Sequence, residues 1–405
     1  MIAHLDADAF FASVLKRKDP SLNGKPLLVT GMGGGCVIAA SYEAKAYGVK
    51  TGMRLSDAKK LVPNFVVLPS DFKEACVASM ALQDIIQKES SIVERYSVDE
   101  WFFDLNAKAG GLPRNLNTWS EILQQYIIKS ANLSVSIGIA PSKLLAKMAS
   151  EYKKPAGRTI LYESDIEVFL KSLCAEAIPG IGRSRSIHAQ ARNWNTAWDI
   201  ANADCEKIQK LFGKPGLEMQ RELMGEYVNP IEHEKRPPKS ISRCRSFRVT
   251  GNKDDLFAYV LTHLTRTLLK MRLQNLSCTK VSVWLRGDDY KNFKCAELSL
   301  PQIMATEEEI LPYVKACFTK SFQKGSSYTQ VGLGLLDLRP KALPQYSLFA
   351  NPLQLEGCEK IQKALDSVHE KYGRDAVMRG GAMPVFKKMR ELKSPTMYGE
   401  VLSCS

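Results

Sequence analysis

Three carboxylates carry the chemistry that this chain could do. Asp6 ends a short apolar stretch, Ile2–Leu5, and Asp99-Glu100 is an adjacent pair far along the sequence. Ile2–Leu5 predicts a strand, and Asp99-Glu100 lies within a second β-like stretch between Ile92 and Leu105. Set side by side, two such strands would make the acids converge. Hard oxygen donors of this kind suit Mg²⁺, which takes one or two carboxylates plus substrate phosphates. Mn²⁺ accepts similar donors. Two ions roughly 3.5–4 Å apart activate an attacking oxygen and stabilise a leaving one, which is two-metal phosphoryl transfer. Acids at strand ends are also commonly just solvated, so these three alone leave both readings open. Tyr42, Lys45 and Lys154 are candidate donors to a triphosphate, although each taken singly reads as a surface residue.

The elements that must position these groups can be traced along the chain. Lys25–Thr30 and Val37–Ala40 read as strands joined by the glycine cluster Gly31–Cys36. That cluster lacks the last glycine of a dinucleotide fingerprint and the Gly-Lys-Ser/Thr of a P-loop, so it is read as a hairpin turn. Helices are expected at Ser41–Gly48, Ser56–Leu61, Ala75–Ser90, Trp119–Ser130 and Ser142–Tyr152. Leu133–Ile139 alternates as a half-buried strand does. From Asp165 to Val228 the pattern is helical, with glycine turns at Ile178–Gly182 and Leu211–Gly216. Such turns match the helix-hairpin-helix, whose backbone N–H groups contact phosphate without reading bases; Gly180 and Gly182 are the candidates. The charged, proline-containing stretch 232–240 reads as a linker. Beyond it the order β-α-β-β-α-β predicts a split βαβ unit of about 100 residues. The tail shows one helix, Leu355–Tyr372.

The 405 residues are 45% hydrophobic and 24% charged, which supports several packed cores and excludes intrinsic disorder. Lys and Arg exceed Asp and Glu by 56 to 43, a net charge of +13 that favours a polyanionic partner. Basic residues crowd the linker and the strand after it, with Arg243 and Arg245 as candidate contacts to a nucleic-acid backbone. No apolar run is long enough for a membrane span, and the N-terminus lacks the features of a signal peptide. A cytoplasmic protein with reduced thiols is therefore expected. The ten cysteines form no C-x-x-C pair, so a zinc site is not expected, and His4 is assigned no role.

Several motifs in fixed order now become specific. They are Leu5–Ser13 (LDADAFFAS), Ala40–Val49 (ASYEAKAYGV), Tyr96–Leu105 (YSVDEWFFDL) and Ser136–Lys147 (SIGIAPSKLLAK), followed by Lys153–Gly157 (KKPAG) and Ile178–Gly182 (IPGIG). Across residues 1 to 340 the chain resembles the Y-family translesion DNA polymerases. The resemblance implies an α+β multidomain right hand: palm at 1–10 and 71–164, fingers at 11–70, helical thumb at 165–231, linker at 232–240, little finger at 241–339 and tail at 340–405. It implies Asp6, Asp99, Glu100 and the Ala7 carbonyl on two Mg²⁺ ions. Phe10 and Phe11 would border the nucleotide, with Phe11 as the gate against a 2′-OH, and Tyr42, Lys45 and Lys154 would hold the triphosphate. Asp8 belongs to the motif but is a less secure ligand.

The chain also departs from the pattern. Trp101 stands where Ala is usual after the acidic pair, and Lys45 where many members have Arg, which keeps the charge but loses the bidentate fork. Some features resemble the DinB branch and others the UmuC branch. Gln345–Phe349 (QYSLF) resembles a clamp-binding peptide in which Leu348 and Phe349 fill an apolar pocket and Gln345 adds polar contacts. The expectation is a DNA-templated DNA polymerase of the SOS damage response, with primer–template DNA, dNTP and a sliding clamp as partners. Small residues at Ala39, Ala40 and Ser41 would enclose the nascent pair loosely and lower fidelity. The alternatives are a non-catalytic DNA-binding accessory and a different two-metal enzyme such as a nucleotidyl cyclase.

Overall fold

All six residues of the first strand, β1 (Ile2–Ala7), are buried, because helices cover both faces of the sheet it centres. A computed structural model describes residues 1–31, 34–234, 236–287, 292–341, 352–373 and 376–385. Two compact units divide between residues 235 and 236.

In the first unit, β1 leads through α1 (Phe10–Lys18) to β2 (Leu27–Thr30), β3 (Val37–Ala40), α2 (Tyr42–Lys45), α3 (Leu55–Leu61) and β4 (Val66–Pro69). β2 pairs antiparallel with β3 and parallel with β4 in a small sheet. The glycine cluster therefore joins two hairpin strands, as its sequence implies. α2 is a single turn, shorter than the expected helix; its cap Ser41 is buried, and the Ser41 hydroxyl accepts from the N–H of Leu27 and of Ala44. Ala40 lies in the core, so of the three small residues expected to loosen the site only Ala39 reaches the surface.

The chain then returns to the main sheet. α4 (Phe72–Glu89), β5 (Val93–Arg95), β6 (Glu100–Asp104), α5 (Leu116–Ala131), β7 (Val135–Ala140), α6 (Lys143–Tyr152) and β8 (Arg158–Ile160) complete it in the order β5-β6-β1-β7-β8. Odd-numbered β1 residues Ala3, Leu5 and Ala7 pack towards α4 and α5, while Ile2 joins the α6 side. Strand alternation puts His4 and Asp6 on that second face as well. β7 is buried along its whole length rather than half-buried, since its small residues are themselves covered. A Cβ on Gly138 would lie 2.1 Å from the Ala146 carbonyl oxygen, so only glycine lets α6 approach this closely. α7 (Ile166–Lys171), α8 (Arg183–Gln190), α9 (Ala197–Ala201) and α10 (Cys205–Leu223) form a helical layer sharing an apolar core with α6. Gly213, at φ 66°, breaks α10 into two pieces and marks the second glycine turn.

The second unit has the expected order: β9 (Ser240–Thr250), α11 (Lys253–Leu273), β10 (Leu276–Arg286), β11 (Phe293–Met304), α12 (Glu307–Ser321) and β12 (Tyr328–Leu336). The antiparallel sheet runs β11-β10-β12-β9, with α11 and α12 packed into its core. On the opposite face Trp284 lies over Gly332, where an added Cβ would meet the indole at 2.0 Å. The helix expected in the tail is present and packs on this unit. α13 (Pro352–Tyr372) is tied to the unit by Arg272, which pairs with both oxygens of Asp366 at 2.7 Å, and by Gln362, which accepts from the Glu307 N–H. Val385 is fully buried in the same core. Among the described residues no helix is long and apolar enough to cross a membrane.

Candidate active site

Strand register does the first work. Asp6 of β1 pairs with Glu100 of β6 on one side and Ser136 of β7 on the other, so the two acids share one sheet face. α6 crosses that face, and its residues Lys143, Lys147 and Glu151 recur every four positions, one helical stripe. Lys143 pairs with Glu94 at 2.6 Å, and Lys147 pairs with Glu100. Lys154, just past the helix, bridges Asp6 at 2.6 Å and Glu151 at 2.5 Å. Carboxylate oxygens of Asp6, Glu100 and Glu151 lie within 4.8 Å of one another. Hard oxygen donors at that spacing, with lysine ammonium groups already supplying counter-charge, fit a divalent cation.

Asp99 sits differently from its expectation. It precedes β6 rather than lying in a strand, and its carboxylate accepts from the Ser97 hydroxyl. It is not in the trio, although its backbone carbonyl accepts from the Ala7 N–H at 2.9 Å, which ties the two segments together. Burial raises the pKa of Asp99, and Glu100 adds to the rise against the Ser97 hydrogen bond. Asp6 is pushed up to about 7, first by burial, with Lys154 pulling the other way. Lys154 itself is raised: burial works against its charge, but Asp6 and Glu151 outweigh it.

Asp8 resolves into a structural role. Its carboxylate accepts from Ser134 Oγ at 2.6 Å, Ser136 Oγ at 2.8 Å and the Ala156 N–H at 2.8 Å, with Tyr42 Oη at 3.4 Å. Lys45 Nζ stands 4.4 Å from the centre of the Tyr42 ring. Burial lowers the pKa of Lys45, and neighbouring Lys154 lowers it further. Burial also raises that of Tyr42, with Asp8 and Asp6 adding to it. The structure thus brings Asp6, Tyr42, Lys45 and Lys154 into one electrostatic neighbourhood.

Ala9, at φ 45°, turns β1 into α1 and separates the fates of the next two rings. Phe10 is 2% exposed, and its ring packs in the core. Phe11 is only partly buried and packs edge-on against Phe72. Trp101 is fully buried beneath the acids, its indole N–H donating to Gln83. Glu151 and Lys147 were not marked as site residues by sequence, although the four-residue spacing of the α6 stripe was there to be read, and His4, assigned no role there, lies beside the acids. His4 is buried under α6, with Nδ1 2.7 Å from Ser150 Oγ and Nε2 3.7 Å from Glu100. Burial, reinforced by three lysines, holds its pKa well below the usual value.

The nucleic-acid candidates lie elsewhere. Gly180, at φ 99°, shapes the loop before α8, and Gly182 caps α8 without a side-chain partner. Arg243 and Arg245 share the parity of buried Ile241 on β9, the side facing α11, while Ser242, Cys244 and Ser246 face the other way. Gln345, Leu348 and Phe349 lie outside the described residues.

Comparison with known proteins completes the picture. Residues 5–151 match the sequence model of the impB/mucB/samB family, and residues 238–348 match that of the impB/mucB/samB family C-terminal domain. DNA polymerase IV 1 of Halalkalibacterium halodurans is 30% identical over 408 residues, covering 98% of this chain and 97% of its own. DNA polymerase IV 1 of Bacillus subtilis is 29% identical over 390 residues, covering 95% and 93%. In fold, the chain is similar to a solved Y-family DNA polymerase chimera of Dbh and Dpo4, with TM-score 0.74 and 22% identity over 84% of this chain and 99% of that one. With both halves matched in order and a relative aligned over nearly its whole length, the chain belongs to the impB/mucB/samB family, the DinB-like Y-family DNA polymerases.

Proposed function

We propose that the carboxylates on the α6 face of the main sheet are the catalytic centre of a translesion DNA polymerase that joins a dNTP to a primer 3′-OH. The observation that carries this reading is the register pairing of Asp6 with Glu100, with Lys154 already on Asp6. Asp6, Glu100, Asp99 and the Ala7 carbonyl would hold Mg²⁺, or Mn²⁺ in its place. Two such ions would lower the pKa of the attacking hydroxyl and neutralise charge on the departing pyrophosphate. The chain's own residues do the rest. Lys154, Lys45 and Tyr42 bind and orient the triphosphate, and Asp8 fixes Tyr42 and the loop through Ala156 around it. Phe11 occupies the space beside the sugar where a 2′-OH would sit.

The parts follow the hand of the family: palm at 1–10 and 71–164, fingers at 11–70, thumb at 165–231 and little finger at 241–339. The uncapped N–H groups at Gly182 and the loop at Gly180 are suited to a DNA phosphate. Basic residues of 236–250, Arg243 and Arg245 among them, would add sequence-independent grip that weakens steeply with salt. Gln345–Phe349 would dock on a sliding clamp, and the protein would work in the cytoplasm. Primer extension with Mg²⁺ tests the core of this reading. Synthesis should vanish in the D99A/E100A double variant, and synthesis surviving both changes would sink the catalytic assignment. Intact, converging acids give no support to a non-catalytic accessory.

A further inference from the structure

Lys154 and a divalent cation must compete for Asp6. In this structure Lys154 Nζ contacts Asp6 at 2.6 Å and Glu151 at 2.5 Å, so the ammonium has two acidic partners, not one. The partners differ in setting: the Asp6 side chain is 10% exposed and that of Glu151 is 51% exposed. Glu151 also stands in the last turn of α6, where no basic residue is present and the helix dipole disfavours a carboxylate. Its position is therefore not explained by helix stability. What it does contact is the one lysine that also holds Asp6.

We propose that Glu151 is a positioning residue for Lys154: it retains the ammonium at the site when Asp6 is given over to a divalent cation, and so keeps it aimed where the triphosphate binds. The proposal rests on the metal-dependent polymerase reading above. Lys154 then gives up only one of its two pairings on metal entry, and the exposed position of Glu151 leaves the ammonium free to turn to phosphate. Without Glu151, Asp6 is the sole acid left to Lys154 and the metal must break that pairing outright.

The closeness of Glu151 to Asp6 and Glu100 raises one rival role, that of a metal ligand, and a double-mutant cycle separates the two. Mn²⁺ binding to the full chain, without DNA or nucleotide, is read from the electron paramagnetic resonance signal of free Mn²⁺. K154M should bind Mn²⁺ more tightly than the parent chain. E151Q should bind it more weakly, by roughly threefold, the scale of one partly exposed ion pair. In the K154M background, E151Q should have no further effect. Equal weakening in both backgrounds would make Glu151 a ligand and overturn the proposal, as would no weakening in either. Primer extension by the parent chain is run alongside. Its failure with Mg²⁺ removes the polymerase reading itself, whereas an additive cycle in an active polymerase removes only the role given to Glu151.

Discussion

Asp6 and Asp8 leave the same strand end two residues apart, and both are almost fully buried, yet the protein treats them in opposite ways. Asp8 is met by two serine hydroxyls and a backbone N–H at hydrogen-bond distance, neutral donors that stabilise a carboxylate without competing with it for a metal. Asp6 meets an ammonium group and otherwise a dry environment that raises its pKa to about 7. One acid is tied into the structure by neutral donors; the other is left charge-poor until something more positive arrives. Phe10 and Phe11 repeat the lesson at the next turn, one ring sealed in the core and its neighbour at the edge of the site. Residue type within a short motif does not separate these roles; the donors brought from β7 and α6 do.

The largest expected effect would come from erasing the difference chemically. D6N should cut primer extension by roughly 10³-fold while leaving the metal-free protein no less stable at about pH 8. A variant that unfolds instead would show that Asp6 is structural after all. D8N should do the reverse, because its amide turns a donor towards donors already in place. Chemical denaturation should register a loss of about 3 kcal/mol; unchanged stability would break the comparison. F11A should raise ribonucleotide incorporation roughly tenfold with a normal melting curve, whereas F10A should lower melting first. Unaltered sugar discrimination in F11A would remove its gate role.

The smallest effect concerns pH. The Asp6 pKa lies above its ordinary 3.8 in the fold, so its charge costs nothing below about pH 4. The cost grows as pH rises towards 7 and is complete above it. Mg²⁺ relieves that cost, so the cation-induced rise in melting temperature should be larger at about pH 8 than at about pH 5.5, by a few degrees. An equal rise at both values would place the cation away from Asp6.

Much of this was legible beforehand because local pattern carried it. The β-α-β-β-α-β order of the second unit, the hairpin at Gly31–Cys36 and the convergence of Asp6 with Glu100 all follow from periodicity and motif. What sequence concealed was long-range. Ser134 and Ser136 read as the polar face of a half-buried strand, but their hydroxyls point at Asp8 from far along the chain, and β7 is covered on both sides. The helical reading of Ser142–Tyr152 did not mark Lys147 and Glu151, which meet Glu100 and Lys154 across the sheet face. The tail helix showed no partner until Arg272 and Glu307 were placed against it.

The indole laid across Gly332 has a practical consequence. Trp284 is the only one of the five tryptophans that lies beyond residue 235. Subtracting the emission spectrum of a W284F variant from that of the parent chain would therefore isolate an optical signal belonging to the second unit alone. Because the ring sits on the sheet face that the described helices leave uncovered, that signal should change colour and intensity when anything large settles there. The molecule thus carries its own dye, placed by a glycine.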